Sequence, residues 1–269
     1  MKITVLANQD LASNFALNYL IPSLAKRHRL RIFLSSRVGS AAPLCPELAQ
    51  LQFFEQTLFN QLLFPALDKA ASGSGLQTFR QLAENNEAPL SILNAVNAAP
   101  GLTDLAASEP DLILSIRYGG ILREKAIATA SKGVLNLHSG LLPGYRGVMA
   151  TFYAMLNRES EIGTTLHYIR DAGIDTGEII DCTRAPLQVE HSYLWNVLQL
   201  YPAGVALMLE AVQKISAGSA IASQPQNSDG HYYSFPDAQL LERFGNLGYR
   251  LYDVDEVTNL ATHYLDSKP

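Results

Sequence analysis

An α/β fold built on a mainly parallel sheet is what this sequence predicts, and three stretches predict it. Lys2 to Ala7 is a short aliphatic run of buried type. Leu11, Phe15, Tyr19, Leu20 and Leu24 then recur at helical spacing, and Arg29 to Leu34 is a second run. Strand, helix and strand in that order imply parallel pairing. Two further aliphatic runs, Pro110 to Ser115 and Val134 to Leu137, extend the same sheet.

Each element follows from local chemistry. The first helix spans Leu11 to Lys26, with a kink or break expected at Pro22. The turn before it, Ala7-Asn-Gln-Asp10, contains no glycine. The Gly-rich dinucleotide fingerprint is therefore absent, which argues against NAD or FAD bound in the usual way. Pro46 to Ala71 reads as helix dense in Phe and Leu, interrupted at Pro65. Its apolar residues suit core packing, with a face for a second subunit as the alternative. Ala71 to Gly75 is a flexible break. Leu90 to Leu93 is a strand and Gly101 to Ala107 a short helix. Met149 to Asn157 is helical, Gly163 to Ile169 a β-branched and aromatic strand, and Glu178 to Asp181 short and extended. A long helix, Tyr193 to Ala217, is capped by Ser192 and ended by Gly218, with Pro202 inside it. The remainder has another texture. Gln224 to Gly230 is turn-rich, His231 to Pro236 is aromatic, and Asp237 caps a helix from Ala238 to Phe244.

Composition excludes several function classes. Of 269 residues, 48% are hydrophobic and 17% charged, which is ordinary for a soluble globular protein. The net charge of −5 does not favour nucleic acid. The first apolar run is too short for a signal core, and no run approaches membrane-spanning length. Cys45 and Cys182 form neither a disulfide framework nor a metal pattern, so a cytoplasmic protein is expected.

The chemistry centres on Gly133 to Gly147, an aliphatic strand running into a Gly/Pro turn. Asn136 and His138 are two apart and project from one face at the strand end. An amide and an imidazole there can stabilise an oxyanion, and the imidazole can move a proton. Asp175, in the polar loop Arg170 to Gly177, can orient that imidazole. No nucleophile lies between them, since Ser139 points to the other face. Direct acyl transfer to an external amine fits better than a covalent mechanism. A metal held by His138, His167 and Asp175 is disfavoured because the spacing matches no common zinc pattern.

Asn136-Leu-His138, Leu141-Leu-Pro-Gly-Tyr-Arg-Gly147, Gly163-Thr-Thr-Leu and Gly173-Ile-Asp-Thr-Gly177 together resemble the folate-dependent formyltransferases. The resemblance is strong from Pro110 to Asp181 and general from Lys2 to Leu34. It implies a Rossmann-like parallel-sheet catalytic domain over residues 1–190 and a smaller C-terminal extension over 191–269. It implies 10-formyltetrahydrofolate as formyl donor; no metal is expected, because no site for one is legible in the sequence. Asn136 and His138 would hold the formyl oxygen of a tetrahedral intermediate, and Asp175 would position His138. Gly119, Gly120, Ile121 and Leu122, with Arg170, Asp171 and Ile174, would clasp the pterin. We assign Asn8, Gln9, Ser139 and Tyr145 to the acceptor side. Two departures stand out: the serine in His138-Ser-Gly-Leu-Leu-Pro143 is displaced by one place, and Gly163 to Asp175 is one residue longer than the common signature.

For the acceptor the resemblance leaves several amines open. Family members acting on methionyl-tRNA carry a further RNA-binding barrel, for which this chain looks too short. From Tyr201 onward eight acids face four cations, a balance that repels an RNA backbone. Size and the Tyr-Tyr-Ser-Phe-Pro tail look most like nucleotide-sugar N-formyltransferases, so a nucleotide-linked amino sugar is expected. Methionyl-tRNA, glycinamide ribonucleotide, or a binding module without turnover are the alternatives. The aromatic tail is expected to be ordered, covering the catalytic domain, pairing with a second subunit or stacking on a base, with the folate site elsewhere.

Overall fold

A computed structural model describes residues 1–36, 45–69, 75–226 and 230–265. The elements run β1 (Lys2–Asn8), α1 (Leu11–Ala25), β2 (Arg29–Ser35), α2 (Pro46–Gln52), a π-helical run (Phe53–Leu63), α3 (Phe64–Leu67), α4 (Phe79–Asn85), β3 (Leu90–Ile92), α5 (Gly101–Ala107), β4 (Leu112–Ile116), α6 (Glu124–Ile127) and β5 (Val134–His138). There follow β6 (Tyr145–Gly147), α7 (Ala150–Leu156), β7 (Glu161–Tyr168), β8 (Ile179–Pro186), α8 (Tyr193–Ser216), β9 (His231–Tyr233), α9 (Ala238–Asn246) and α10 (Val254–Leu265). The expected break at Ala71 to Gly75 lies, up to Gly75, outside the described residues, as does the middle of the turn-rich Gln224 to Gly230 stretch.

Among the described residues the main sheet has seven strands in the order β3-β2-β1-β4-β5-β7-β8. The five strands from β3 to β5 pair in parallel. The aliphatic runs of β1, β2, β4 and β5 are largely buried on both faces, as a parallel sheet covered by helices requires, whereas β3 at the edge leaves Ile92 exposed. β7 and β8 depart from the expected parallel pattern: both are antiparallel, and β8 is twice the length of the extended segment expected there. Antiparallel pairing joins them as a hairpin, which needs no crossover helix. The register slips between Leu166 and His167, a bulge beside the site described below.

Helix α1 begins where the Asp10 side chain accepts the Ser13 N–H at 2.7 Å, and it accommodates Pro22 within its length. Its Leu11, Leu17, Leu20 and Ile21 are fully buried against the sheet. Helix α8 begins at the Ser192 cap, which accepts the Trp195 N–H at 3.1 Å. It crosses the sheet at Gly204, where any side chain would run into Thr164. One cluster of buried residues runs from Ile3 to Tyr264, and Tyr193, Tyr201 and Phe244 from the C-terminal third belong to it. Of the Phe/Leu-dense segment, Leu48, Leu51, Phe59 and Phe64 enter this core, whereas Phe53 and Leu62 stay exposed.

The C-terminal segment docks in two places. β9 pairs with β6 in a two-stranded sheet, an arrangement the sequence did not announce. Helix α9, capped by Asp237, buries Phe244, which stacks on Phe152 at 4.4 Å and meets Tyr249 at 5.2 Å. Phe244→Ala is expected to cost about 3–5 kcal/mol through lost contact and a residual cavity. Urea unfolding of the variant with an unchanged midpoint would show that α9 does not share the core.

Candidate functional site

The strand order reverses between β1 and β4, so the ends of these neighbouring strands open a crevice where an α/β sheet takes ligands. A cavity of about 1140 Å³ lies there. Asp10 after β1, Arg117 after β4, and Asn136 and His138 on β5 all line it.

Asn136, His138 and Asp175 come together, and His167 joins them. Asn136 and His167 sit directly opposite on β5 and β7, with the Asn136 Nδ2 3.0 Å from the His167 Nε2. The His167 Nδ1 lies 2.9 Å from the Tyr168 carbonyl, which can only accept, so Nδ1 carries the proton. In the neutral ring Nε2 then accepts one Asn136 N–H; in the imidazolium it carries a proton as well and points it at Asp175 Oδ1, 3.4 Å away. The same amide nitrogen is 3.5 Å from Asp175 Oδ1, a long contact a ligand can replace. His138 donates Nε2–H to the Tyr145 carbonyl at 2.6 Å and turns Nδ1 toward Asp175 Oδ2 at 3.5 Å.

Asp175 is the hub. Its carboxylate faces His138, faces His167 at 3.4 Å and accepts the Gly147 N–H at 2.9 Å. Burial alone would push this carboxyl up. The facing His138, the His167 contacts and the Gly147 amide outweigh burial and bring it from its ordinary 3.8 to about 2. Asp175 takes a left-handed backbone, φ 55°, and such residues cluster at functional sites. Among the described residues, no group of three His, Cys, Asp or Glu is arranged to hold a metal ion.

The remaining assignments divide. Gly119, Gly120, Ile121, Leu122, Asp171 and Ile174 line the cavity, as does Ser139. Arg170 is not among the lining residues; its guanidinium stacks over Tyr168 at 3.9 Å and pairs with Glu178 at 3.0 Å. The Tyr145 side chain also lies off the cavity, its hydroxyl donating to Glu159 at 2.6 Å. Asn8 is fully buried, donating to Asp10 and accepting from Ser35, so its polarity serves the turn. Gln9 is outside the lining as well, its carbonyl taken by Asn60. Asp10 reaches the cavity in their place.

Sequence reasoning missed a second cluster. Arg117, left-handed at φ 56°, pairs with Asp10 at 3.1 Å and Glu55 at 3.5 Å, and all three line the cavity. Burial pushes the Glu55 carboxyl up to about 7, with Asp10 adding to the rise and Arg117 opposing it. Glu55 lies on the π-helical run, a conformation frequent at functional sites. The C-terminal segment was also expected away from the folate site. Tyr232, Ser234, Phe235 and Asp237 instead line the same cavity, because β9 sits directly on the loop after β5.

Residues 83–193 match the family model described as Formyl transferase. A methionyl-tRNA formyltransferase from Kosmotoga olearia is 30% identical over 153 residues, 57% of this chain and 49% of that protein. The chain thus spans about half the length of the curated relatives it matches. In fold it is similar to a 4-N formyltransferase from Francisella tularensis, with a TM-score of 0.58 and 16% identity over 100% of this chain and 90% of that one. It is also similar to an N-formyltransferase from Helicobacter canadensis described in complex with folinic acid and dTDP-3-aminofucose. That TM-score is 0.53, with 20% identity over 86% of this chain and 70% of that one.

The two carboxyls shift in opposite directions and should be separable by pH. The folded value of Glu55 lies above its ordinary 4.5, so the folded state binds more protons between about pH 4.5 and 7. Stability should fall across that window, and Glu55→Gln should flatten the fall. For Asp175 the folded value lies below the ordinary one. Its contribution is present above about pH 4 and is lost as pH drops toward 2. Asp175→Asn should remove that acid loss. Thermal unfolding from pH 2 to 8 checks both, and parallel curves for wild type and variants would refute the assignments.

Proposed function

We propose that this chain, whose residues 83–193 match the formyl transferase model, moves the formyl group of 10-formyltetrahydrofolate onto the primary amine of a small acceptor. The observation that carries this reading is the Asn136–His138–Asp175 constellation at the strand end, facing a cavity of about 1140 Å³. The donor lies along Gly119 to Leu122 and Asp171 to Ile174. The acceptor enters beside Ser139 and the Asp10–Arg117–Glu55 cluster.

The neutral amine attacks the formyl carbon, forming a C–N bond while the carbonyl pair moves onto oxygen. The Asn136 N–H now 3.5 Å from Asp175 turns to that oxyanion, while the other stays with His167. His138, facing the Asp175 carboxylate, takes part in moving the amine proton toward the folate nitrogen as its bond to the formyl carbon breaks. The products are an N-formyl amine and tetrahydrofolate.

A nucleotide-linked amino sugar is the acceptor we favour. Tyr232 and Phe235, both half-exposed at the cavity, offer faces on which a base can stack. The fold likeness to the Helicobacter canadensis enzyme described with dTDP-3-aminofucose supports the same choice. Methionyl-tRNA is the second reading, supported by the sequence match to the Kosmotoga olearia protein. Transfer assays with 10-formyltetrahydrofolate and each acceptor decide between them.

His138→Gln should lower turnover by about 10²–10⁴ while donor binding persists, the range for losing an acid–base or oxyanion group. Near-normal single-turnover rates in that variant would overturn the role given to His138. Activity is expected to survive chelators, and its loss with recovery on adding zinc would count against the amine-attack mechanism.

A further inference from the structure

The loop that carries Asp175 starts from an unfavourable place. β7 runs antiparallel to β5, so its end at Tyr168 lies opposite Leu135, not His138. The chain must fold back along the sheet face to bring Asp175 to the imidazole. The β7–β8 ladder closes this hairpin at its base, where the Tyr168 N–H meets the Glu178 carbonyl at 3.0 Å, but among the described pairings none includes residues 170–177, and Asp175 itself sits in a left-handed conformation.

The C-terminal segment supplies the missing restraint from two sides. The Gln226 side-chain amide donates to the carbonyl oxygens of Asp175 at 2.9 Å and of Gly177 at 2.7 Å. Those bonds hold the backbone of the turn. The carboxylate is held by the Gly147 N–H on β6, and β6 is held by β9. Contact between these strands is so close that a side chain at Gly147 would overlap the Tyr233 carbonyl. The Val148 N–H donates to that carbonyl at 3.0 Å, and Arg146 donates to the Gly230 carbonyl.

We propose that Gln226 is a positioning residue for the formyl-transfer centre, and that the C-terminal segment sets the distance between Asp175 and His138. Gln226 touches neither reacting group; it acts by fixing the turn from which Asp175 projects. The inference rests on the formyl-transfer reading only for its kinetic consequence.

Gln226→Met keeps the side-chain volume and removes both donors, whereas Gln226→Ala removes both volume and donors. A packing role would leave the methionine variant near wild type and harm only alanine. A positioning role predicts that both lose about 10- to 100-fold in kcat for deformylation of 10-formyltetrahydrofolate, with donor KM changed less than about twofold. The acid limb of the pH–rate profile should move upward, because a looser Asp175 drifts back toward its ordinary range. The NMR chemical shifts of the His138 ring, identified by their absence in His138→Gln, should change in both variants as Asp175 moves away from Nδ1, and the readout needs no turnover. Unchanged His138 ring shifts in folded Gln226→Met overturn the proposal, whatever the enzyme does. Wild-type protein that neither binds nor deformylates the donor would instead refute the formyl-transfer reading, leaving the ring shifts to decide the role of Gln226.

Discussion

A carboxylate one-tenth exposed, between two imidazoles and a backbone amide, is the constraint on which the site depends. Such a group is costly to bury unless its neighbours favour its charge. Here they do. The same contacts fix both rings, because each imidazole has a carbonyl on one nitrogen and this carboxylate on the other. The left-handed turn at Asp175 costs of order 1 kcal/mol or more, and it persists because Gly147 and Gln226 over-determine it.

The mixed sheet is what makes this hub attainable. In an antiparallel pair, opposed residues face the same side, so β7 sets His167 directly against Asn136. That pairing orients the amide and leaves one of its N–H groups lightly engaged toward the cavity. A parallel strand in that position would need a crossover and would not return the chain so quickly to the same face. The cost of the antiparallel edge is that the loop carrying Asp175 leaves at the far end, where the C-terminal segment contacts it.

Asn136 and His138 were legible because period-two alternation on an aliphatic strand needs only local sequence. The parallel strands were legible for the same reason, since their runs are short, aliphatic and punctuated. Asn8 misled because a polar residue after a strand reads as ligand-facing, yet its amide is consumed by Asp10 and Ser35. Arg117, Glu55 and Gln226 gave no signal, because their partners lie 107, 62 and 51 residues away. The β6–β9 pair was equally hidden: three-residue strands joined across more than eighty positions carry no periodicity of their own. His167 was visible only as a stray ligand candidate. Its register against Asn136 was the usable clue, and it required knowing that β7 runs antiparallel.

One cavity therefore contains two carboxyls pushed apart by their surroundings. Opposed histidines and an amide keep Asp175 ionised throughout the physiological range. Glu55 shares its guanidinium with Asp10, so burial prevails over attraction and the group titrates near 7. Divergent values in one site mark divergent roles. A permanently charged Asp175 can orient His138 but cannot supply a proton. Glu55 can exist in either state, beside the guanidinium that it shares with Asp10, on an Arg117 that follows β4 in a left-handed conformation. The end of β5 and the β1/β4 crevice thus carry separate electrostatics within one cavity.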